Sequence, residues 1–307
     1  VKILVTGGTG LVGHAIKKTA ISYDYQIEYM SSTDCDLRDF NQLTEHVKTS
    51  QPDCVIHLAA NVGGLYKNMN YKVDMFEDNM LINFNIVKAC HDHRVGKFIG
   101  ILSTCIFPDD TTYPIDENML HDGKPHMSND AYAYAKRMLD VQCRAYNEQY
   151  GTNYNCVIPT NIYGDNDNYN LEDAHVLPAL IHKCYVAKQS NSPFEVRGSG
   201  KPLRQFIHAD DLADIIMKLV PVIHQENIII SPCEEHTIAQ AATYIARSFD
   251  YEHALVFNKN YSDGQYKKTA NNTKLMDLLP ETKFTSLQTG IEKTVEYFVN
   301  NHPKLRL

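Results

Sequence analysis

Tyr132 and Lys136 stand four residues apart in Tyr132-Ala133-Tyr134-Ala135-Lys136. On a helix that spacing puts both side chains on one face. An ammonium held beside a phenol favours the phenolate and draws its pKa down from about 10. Such a tyrosine can give and take a proton near neutral pH. Tyr134 lies two residues from Lys136 and points elsewhere. The pair gains meaning from Ser103 upstream and from the glycine run that opens the chain, and together they describe hydride transfer.

The chain begins with a short apolar run, Val1-Lys2-Ile3-Leu4-Val5-Thr6. Gly7-Gly8-Thr9-Gly10-Leu11-Val12-Gly13 follows, and Ala15-Ile16 starts a helical pattern. Strand, glycine turn and helix in that order allow a tight turn, a close approach to a pyrophosphate and close helix–strand packing. The helix N-terminus then offers free N–H groups to an anion. A flexible turn is the bland alternative; the flanking strand and helix favour dinucleotide binding. An NAD site usually carries an acid on the ribose hydroxyl about twenty residues further on. The second strand, Gln26–Ser32, ends instead in Ser31-Ser32-Thr33, small donors that leave room for a phosphate, and Glu28 falls inside the strand. NADP(H) is therefore the expected cofactor, although Arg38 is the nearest arginine.

These elements need a scaffold, and the chain has length for one large α/β domain and a smaller lobe. A net charge of −8 argues against nucleic acid as the main ligand, so an anionic substrate must meet local cations. No apolar run reaches the length of a membrane span, and the first residues read as a strand rather than a signal peptide. The eight cysteines include no C-x-x-C and no zinc spacing, which predicts no metal and reduced thiols in the cytoplasm. Cys54, Cys90, Cys143, Cys156, Cys184 and Cys233 read as small buried hydrophobes. His57, near the cofactor cleft, reads as a packed structural residue.

Apolar runs at 53–58, 97–102 and 155–158 read as buried parallel strands, and 74–93 and 130–150 as long helices. The alternation predicts a Rossmann-type doubly wound parallel sheet, with ligands beyond the carboxyl ends of its strands. Ser103, Thr104 and Cys105 fall at one such end and Pro159-Thr160-Asn161 at another. If extended backbone continues past Leu102, Ser103 and Cys105 point to the same side. The rhythm changes near residue 165. Residues 1–165 are the expected dinucleotide-binding domain, with some later segments returning to it. Residues 166–307 are mainly a substrate lobe, with helices from near Asp173 to Lys188 and from Leu287 to Asn301.

Strand–GGTGLVG–helix, His57-Leu58-Ala59-Ala60, Ser103, Tyr132 and Lys136, in that order, resemble the extended short-chain dehydrogenase/reductases, which mostly act on nucleotide-diphosphate sugars. Five further segments narrow the likeness: Asn61-Val62-Gly63-Gly64, Ser103-Thr104-Cys105-Ile106-Phe107-Pro108, Pro159-Thr160-Asn161-Ile162-Tyr163-Gly164, His175-Val176-Leu177-Pro178-Ala179-Leu180 and Asp263-Gly264-Gln265-Tyr266-Lys267-Lys268. They are similar to the members of that family that epimerise and reduce GDP-4-keto-6-deoxy-D-mannose. The likeness runs over nearly the whole chain.

The resemblance implies inversion at carbons 3 and 5 of the GDP-linked ketosugar, then reduction of the ketone with NADPH, giving GDP-L-fucose. It implies Cys105 as base, with its thiol brought down by neighbouring positive charge, and His175 as acid. It implies Tyr132 as proton donor to the ketone oxygen, Lys136 on the nicotinamide ribose, and Ser103 bonded to the substrate oxygen. For the cofactor it implies a lining of Gly7, Thr9, Gly10, Leu11, Val12, Gly13, Ser31, Asp36, Leu37, Leu58, Ala59, Ala60, Leu102, Lys136, Pro159, Ile162 and His175. For the GDP-sugar it implies Asn161, Lys183, Arg197, Arg204, Asp263 and Lys268, with Arg204 foremost for the diphosphate. Arg197 stands where the family usually has tryptophan, and this chain has none. The resemblance also implies a homodimer. The competing readings are another nucleotide-sugar epimerase or dehydratase of the same family, such as a 4-epimerase with tightly held NAD, and a non-catalytic NADP-binding scaffold.

Overall fold

The computed structural model describes residues 1–261, 263 and 265–305. The chain starts with β1 (Lys2–Thr6), whose Ile3, Leu4 and Val5 are wholly buried, and turns through the glycine run into α1 (Leu11–Thr19). β2 (Gln26–Met30), α2 (Phe40–Ser50) and β3 (Cys54–His57) follow. Asp39 caps α2 by accepting from the Asn41 and Gln42 amides at 2.9 and 3.1 Å. Next come α3 (Leu65–Asn70), α4 (Lys72–Asp92), β4 (Lys97–Ile101), α5 (Asp130–Tyr150), β5 (Tyr154–Pro159) and β6 (Asn161–Tyr163). Gly151 ends α5 at φ 67°, the left-handed cap that glycine adopts without strain.

The second half runs through α6 (Val176–Ser190), β7 (Phe194–Arg197), β8 (Leu203–Arg204), β9 (Phe206–His208) and α7 (Ala209–Leu219). It continues with β10 (Asn227–Ile230), β11 (His236–Thr237), α8 (Ile238–Ser248), β12 (Leu255–Asn258), α9 (Thr273–Leu278) and α10 (Leu287–Asn301). α6 begins at Val176, later than the helix expected from near Asp173, because His175 is its extended N-cap and residues 171–173 form a turn.

Six strands form one parallel sheet in the order β10-β5-β4-β3-β1-β2. The chain leaves β1 towards β2 on one side and resumes with β3 on the other. The crevice between β1 and β3 is thus the switch point where such sheets bind ligands. One face is covered by α1 and α7, whose Ile16, Leu212 and Ile216 join Val5 and Ile56 in one core. The other is covered by α2, α4 and α5, where Leu43, Ile86 and Leu139 pack on Leu4 and Val55. α7 and β10, from the second half of the sequence, belong to this sheet unit. A third core unites α6, α8 and α10 through Leu180, Ile181, Ala242, Ile245, Ile291 and Phe298.

Candidate active site

The glycine turn is built for contact at the switch point. Gly7 has φ +71°, and a Cβ there would stand 2.8 Å from the Ala59 amide nitrogen at the end of β3. A Cβ on Gly13 would meet the Gly7 carbonyl oxygen at 2.6 Å, so the first turn of α1 lies directly on the loop. Gly8, part of the glycine run but not of the cofactor lining that the resemblance implies, has the same constraint: its Cβ would meet the Tyr29 side chain at 2.8 Å. Gly10 caps α1 without any side-chain hydrogen bond, and the first turn holds no acidic residue. Leu11 and Val12 follow, Thr9 is exposed beside them, and the open amides suit a diphosphate. This cradle, narrow enough to exclude a methyl group, fits a dinucleotide.

Beyond β2, Ser31 donates through its amide and hydroxyl to the Asp34 carboxylate at 2.9 and 2.6 Å. Asp36 is held by the Arg38 guanidinium, which also reaches Asp78 at 3.0 Å. The Leu37 carbonyl accepts from Asn85 at 2.9 Å. Leu58, Ala59 and Ala60 follow β3, Leu102 follows β4 and Pro159 ends β5, all at carboxyl ends of strands, whereas Ile162 lies in the middle of β6. Asn161 is tied by its side-chain amide to the Gln205 carbonyl at 2.8 Å. His57 is fully buried between Thr6 (2.8 Å) and Asn83 (3.1 Å), and burial, then the Lys136 charge, pushes its pKa down to about 3. That is a neutral structural histidine.

Tyr132 and Lys136 share the buried face of α5, 9 % and 2 % exposed. Their chemistry differs from the sequence expectation. Lys136 donates to the Ile101 carbonyl at 3.0 Å, and burial pushes its pKa down to about 8. Burial, with the Cys105 thiol adding to it, raises the Tyr132 phenol far above its ordinary value. The phenol is thus held as a donor rather than drawn towards phenolate.

Ser103 is extended, but a 3₁₀ turn at Thr104–Ile106 follows it at once. Ser103 and Cys105 are joined by that turn, the Cys105 amide donating to the serine oxygen at 3.5 Å, and not by strand alternation. Burial raises the Cys105 thiol pKa, opposed first by Lys268 and then by Ser103 and Lys136. The expectation of a net lowering is corrected: burial outweighs the cations. Cys105 and Lys268 line one pocket with Asp109, Tyr113, His126 and Gln265. Lys268 is itself pushed down by burial, with Cys105 and Asp109 opposing and Arg204 assisting. Sequence reasoning had not joined Lys268 to Cys105, because no local spacing connects them.

His175 stands at the N-cap of α6 with an exposed side chain, and desolvation by the surrounding protein lowers its pKa against the pull of Asp173. The other cations form two groups. Arg204 donates to the Leu203 and Gln265 carbonyls, both at 2.7 Å, close to Tyr113 and Lys268. Lys183 faces Arg197: burial and that like charge both lower its pKa, against Glu195. Arg197 lies over the Tyr261 ring at 4.6 Å. Asp263 receives the Ser199 amide and hydroxyl, both at 2.6 Å, so its carboxylate braces the turn at Gly198-Ser199-Gly200. Gly264 of the same motif lies outside the described residues. Cys233 is exposed rather than buried, next to Asn272. Among the described residues, no group of three or more His, Cys, Asp or Glu is placed to hold a metal, and no helix is long and apolar enough to cross a membrane.

Residues 3–229 match the NAD dependent epimerase/dehydratase family. A GDP-L-fucose synthase of Dictyostelium discoideum is 47 % identical over 99 % of this chain and 97 % of its own. A probable GDP-L-fucose synthase of Drosophila melanogaster is 44 % identical over 99 % of both. The crystal structure of a GDP-L-fucose synthetase from Naegleria fowleri bound to NADP superposes with a TM-score of 0.93 at 44 % identity, covering 100 % of this chain and 95 % of that one. Sequence, fold and the cradle at the switch point agree: the chain belongs to the NAD dependent epimerase/dehydratase family.

Proposed function

We propose that this chain converts GDP-4-keto-6-deoxy-D-mannose to GDP-L-fucose, inverting carbons 3 and 5 and then reducing the 4-keto group with NADPH. The observation that carries the reading is the thiol of Cys105, placed against Ser103 and facing the Lys268 ammonium in one pocket at the end of β4. A ketone reductase needs Ser103, Tyr132 and Lys136. A thiol with its own cation is surplus to that task and suits removal of a proton next to a ketone. The names of the relatives support the same substrate.

In this reading Cys105 takes the proton from one face of the sugar and His175 delivers one to the other. Ser103 holds the ketone oxygen and Tyr132 protonates it. Lys136 holds the nicotinamide ribose. NADPH, when bound, supplies the hydride, with its diphosphate on the amides of Gly10 to Gly13 and its adenosine end near Ser31, Asp36 and Leu37. Arg204 serves the diphosphate of the substrate, with Lys183 and Lys268 as further cations and Arg197 as a further phosphate contact, and Asn161 and Asp263 offer polar contacts. Residues 1–165, with α7 and β10, form the dinucleotide unit, and the rest of 166–307 closes over the sugar.

Incubation with the ketosugar and NADPH in D2O tests this. NADPH oxidation with deuterium at carbons 3 and 5 is expected; oxidation without exchange would reduce the chain to a plain reductase. Val73, Phe76, Leu81 and Phe84 on α4 and Met138 on α5 are exposed, which supports a homodimer built on these two helices. Light scattering on the chain and on Phe84→Glu tests it, with a dimer and a monomer expected. Eight free cysteines support a cytoplasmic location, and cell fractionation would check it.

A further inference from the structure

The Gly63-Gly64 turn ahead of α3 meets the segment that carries His175. The Gly64 amide donates to the Asp173 carbonyl at 2.7 Å. A Cβ on Gly64 would stand 2.7 Å from the Ala174 carbonyl oxygen and 3.1 Å from that of Asp173. Backbone conformation does not require glycine here: Gly64 has φ −66° and ψ −175°, which any residue adopts. Its missing side chain serves only the approach. The turn is stiffened by the buried Asn68, whose amide donates to the Gly63 and Gly64 carbonyls at 2.9 and 3.0 Å. On the other side, Asn168 donates to Asp173 at 2.8 Å and the Ala174 amide to Asn170 at 2.9 Å. Beside this seam the two segments part around a cavity of about 230 Å³ lined by Tyr66, Lys67, Tyr71, Asn170, Glu172 and Asp173. Contact is therefore concentrated at Gly64. His175 follows at once, and among the described residues its ring has no hydrogen-bond or stacking partner, so its aim is set by its backbone.

We infer that Gly64 is a positioning residue for His175: the backbone seam between Gly64 and Asp173–Ala174 holds the imidazole at the reach proton delivery requires. This rests on the proposed role of His175. A methyl group on Gly64 forces the 173–174 segment outward by a few tenths of an ångström or more, and displacements on the order of 1 Å can cost about a hundredfold in rate. Gly63 provides a control on the same turn: the three atoms nearest a Cβ there belong to the Lys67 side chain on α3, so its strain falls between the turn and α3 and not on the 173–174 segment.

The test compares wild type, Gly64→Ala and Gly63→Ala. Deuterium uptake by the ketosugar is followed with NADP+ bound, so that reduction is off, alongside NADPH affinity and Tm. Gly64→Ala is expected to lose about tenfold or more in exchange, with NADPH affinity and substrate KM unchanged and reduced product carrying fewer inverted centres. Gly63→Ala is expected to match wild type. Exchange within twofold of wild type in Gly64→Ala, or an equal loss in Gly63→Ala, overturns the inference. If Gly64→Ala does not fold, Asn68→Ala, which loosens the same turn, is expected to show the exchange defect in milder form, and normal exchange there overturns it. Absence of exchange in wild type defeats the functional reading, and the seam is then judged by NMR: the His175 ring resonance, assigned by its loss in His175→Gln, moves in Gly64→Ala and not in Gly63→Ala, and an unmoved resonance overturns it.

Discussion

Lys136 donates a buried hydrogen bond to the carbonyl of Ile101 at 3.0 Å, tying the middle of α5 to the last residue of β4. Burial holds the Lys136 pKa at about 8, below the ordinary lysine value of about 10.4, so between those values the unfolded chain binds more protons and stability rises with pH. In urea unfolding that rise is expected in wild type and absent in Lys136→Met. In wild type, with a lysine pKa of about 8, the charge is present below that pH and lost above it. NADPH affinity should fall as pH rises through about 8, and the fall should be absent in Lys136→Met. Fluorescence titration at pH 7 and 9 checks both.

Burial holds the Cys105 thiol above an ordinary cysteine, and Lys268 is the largest opposing influence. Ser103 and Lys136 also pull it down, while Tyr132 and Arg137 respond to its charge. In a Cys233→Ser background, which removes the exposed thiol, iodoacetamide should label Cys105 slowly at pH 8 and faster as pH rises. Lys268→Met should slow the labelling several-fold at pH 8. An unchanged rate would show that the ammonium does not act on the sulfur.

The neutral, buried His57 links stability to acid. Its pKa is about 3 in the folded chain against about 6.5 when unfolded. Between those values the unfolded chain binds more protons, so stability falls as pH drops through that window, by up to about 1.4 kcal/mol per pH unit. His57→Gln keeps polar atoms for Thr6 and Asn83 and does not titrate. Urea unfolding at pH 4.5, 5.5 and 7 should show a shallower pH dependence in the variant.

Gly13 has no room for a methyl group against the Gly7–Gly8 backbone. Gly13→Ala should weaken NADPH binding by about tenfold or more, as α1 is pushed off the turn that presents its amides. Gly96→Ala, whose Cβ would make an ordinary contact at 3.5 Å with the Asp53 carbonyl, should bind NADPH as wild type does. Isothermal titration of both distinguishes a local steric effect from a general loss of glycine.

Much of the scaffold was legible locally. The apolar runs at 97–102 and 155–158 became β4 and β5, and the helix expected at 130–150 is α5, because a strand or helix betrays itself by its own period. β10 escaped notice, since Asn227–Ile230 is a short apolar run that says nothing of which sheet it will join. The Ser103–Cys105 pairing was anticipated for the wrong reason: the serine caps a 3₁₀ turn, a preference that a strand-period reading overlooks.

What the linear order of residues settled was the inventory: a glycine cradle after a strand, a phenol and an amine on one helical face, a serine and a thiol past a strand end. These depend on neighbours within a few positions. Only the folded chain decided the ionisation of that inventory and its partners. Lys268 reaches Cys105 from the far end of the sequence, and Gly64 meets Asp173 across two separate segments. Burial by distant elements raises Tyr132 and Cys105 and lowers Lys136 and His57. The physical reason is that desolvation and through-space charge depend on three-dimensional surroundings, which a residue's sequence neighbours do not specify.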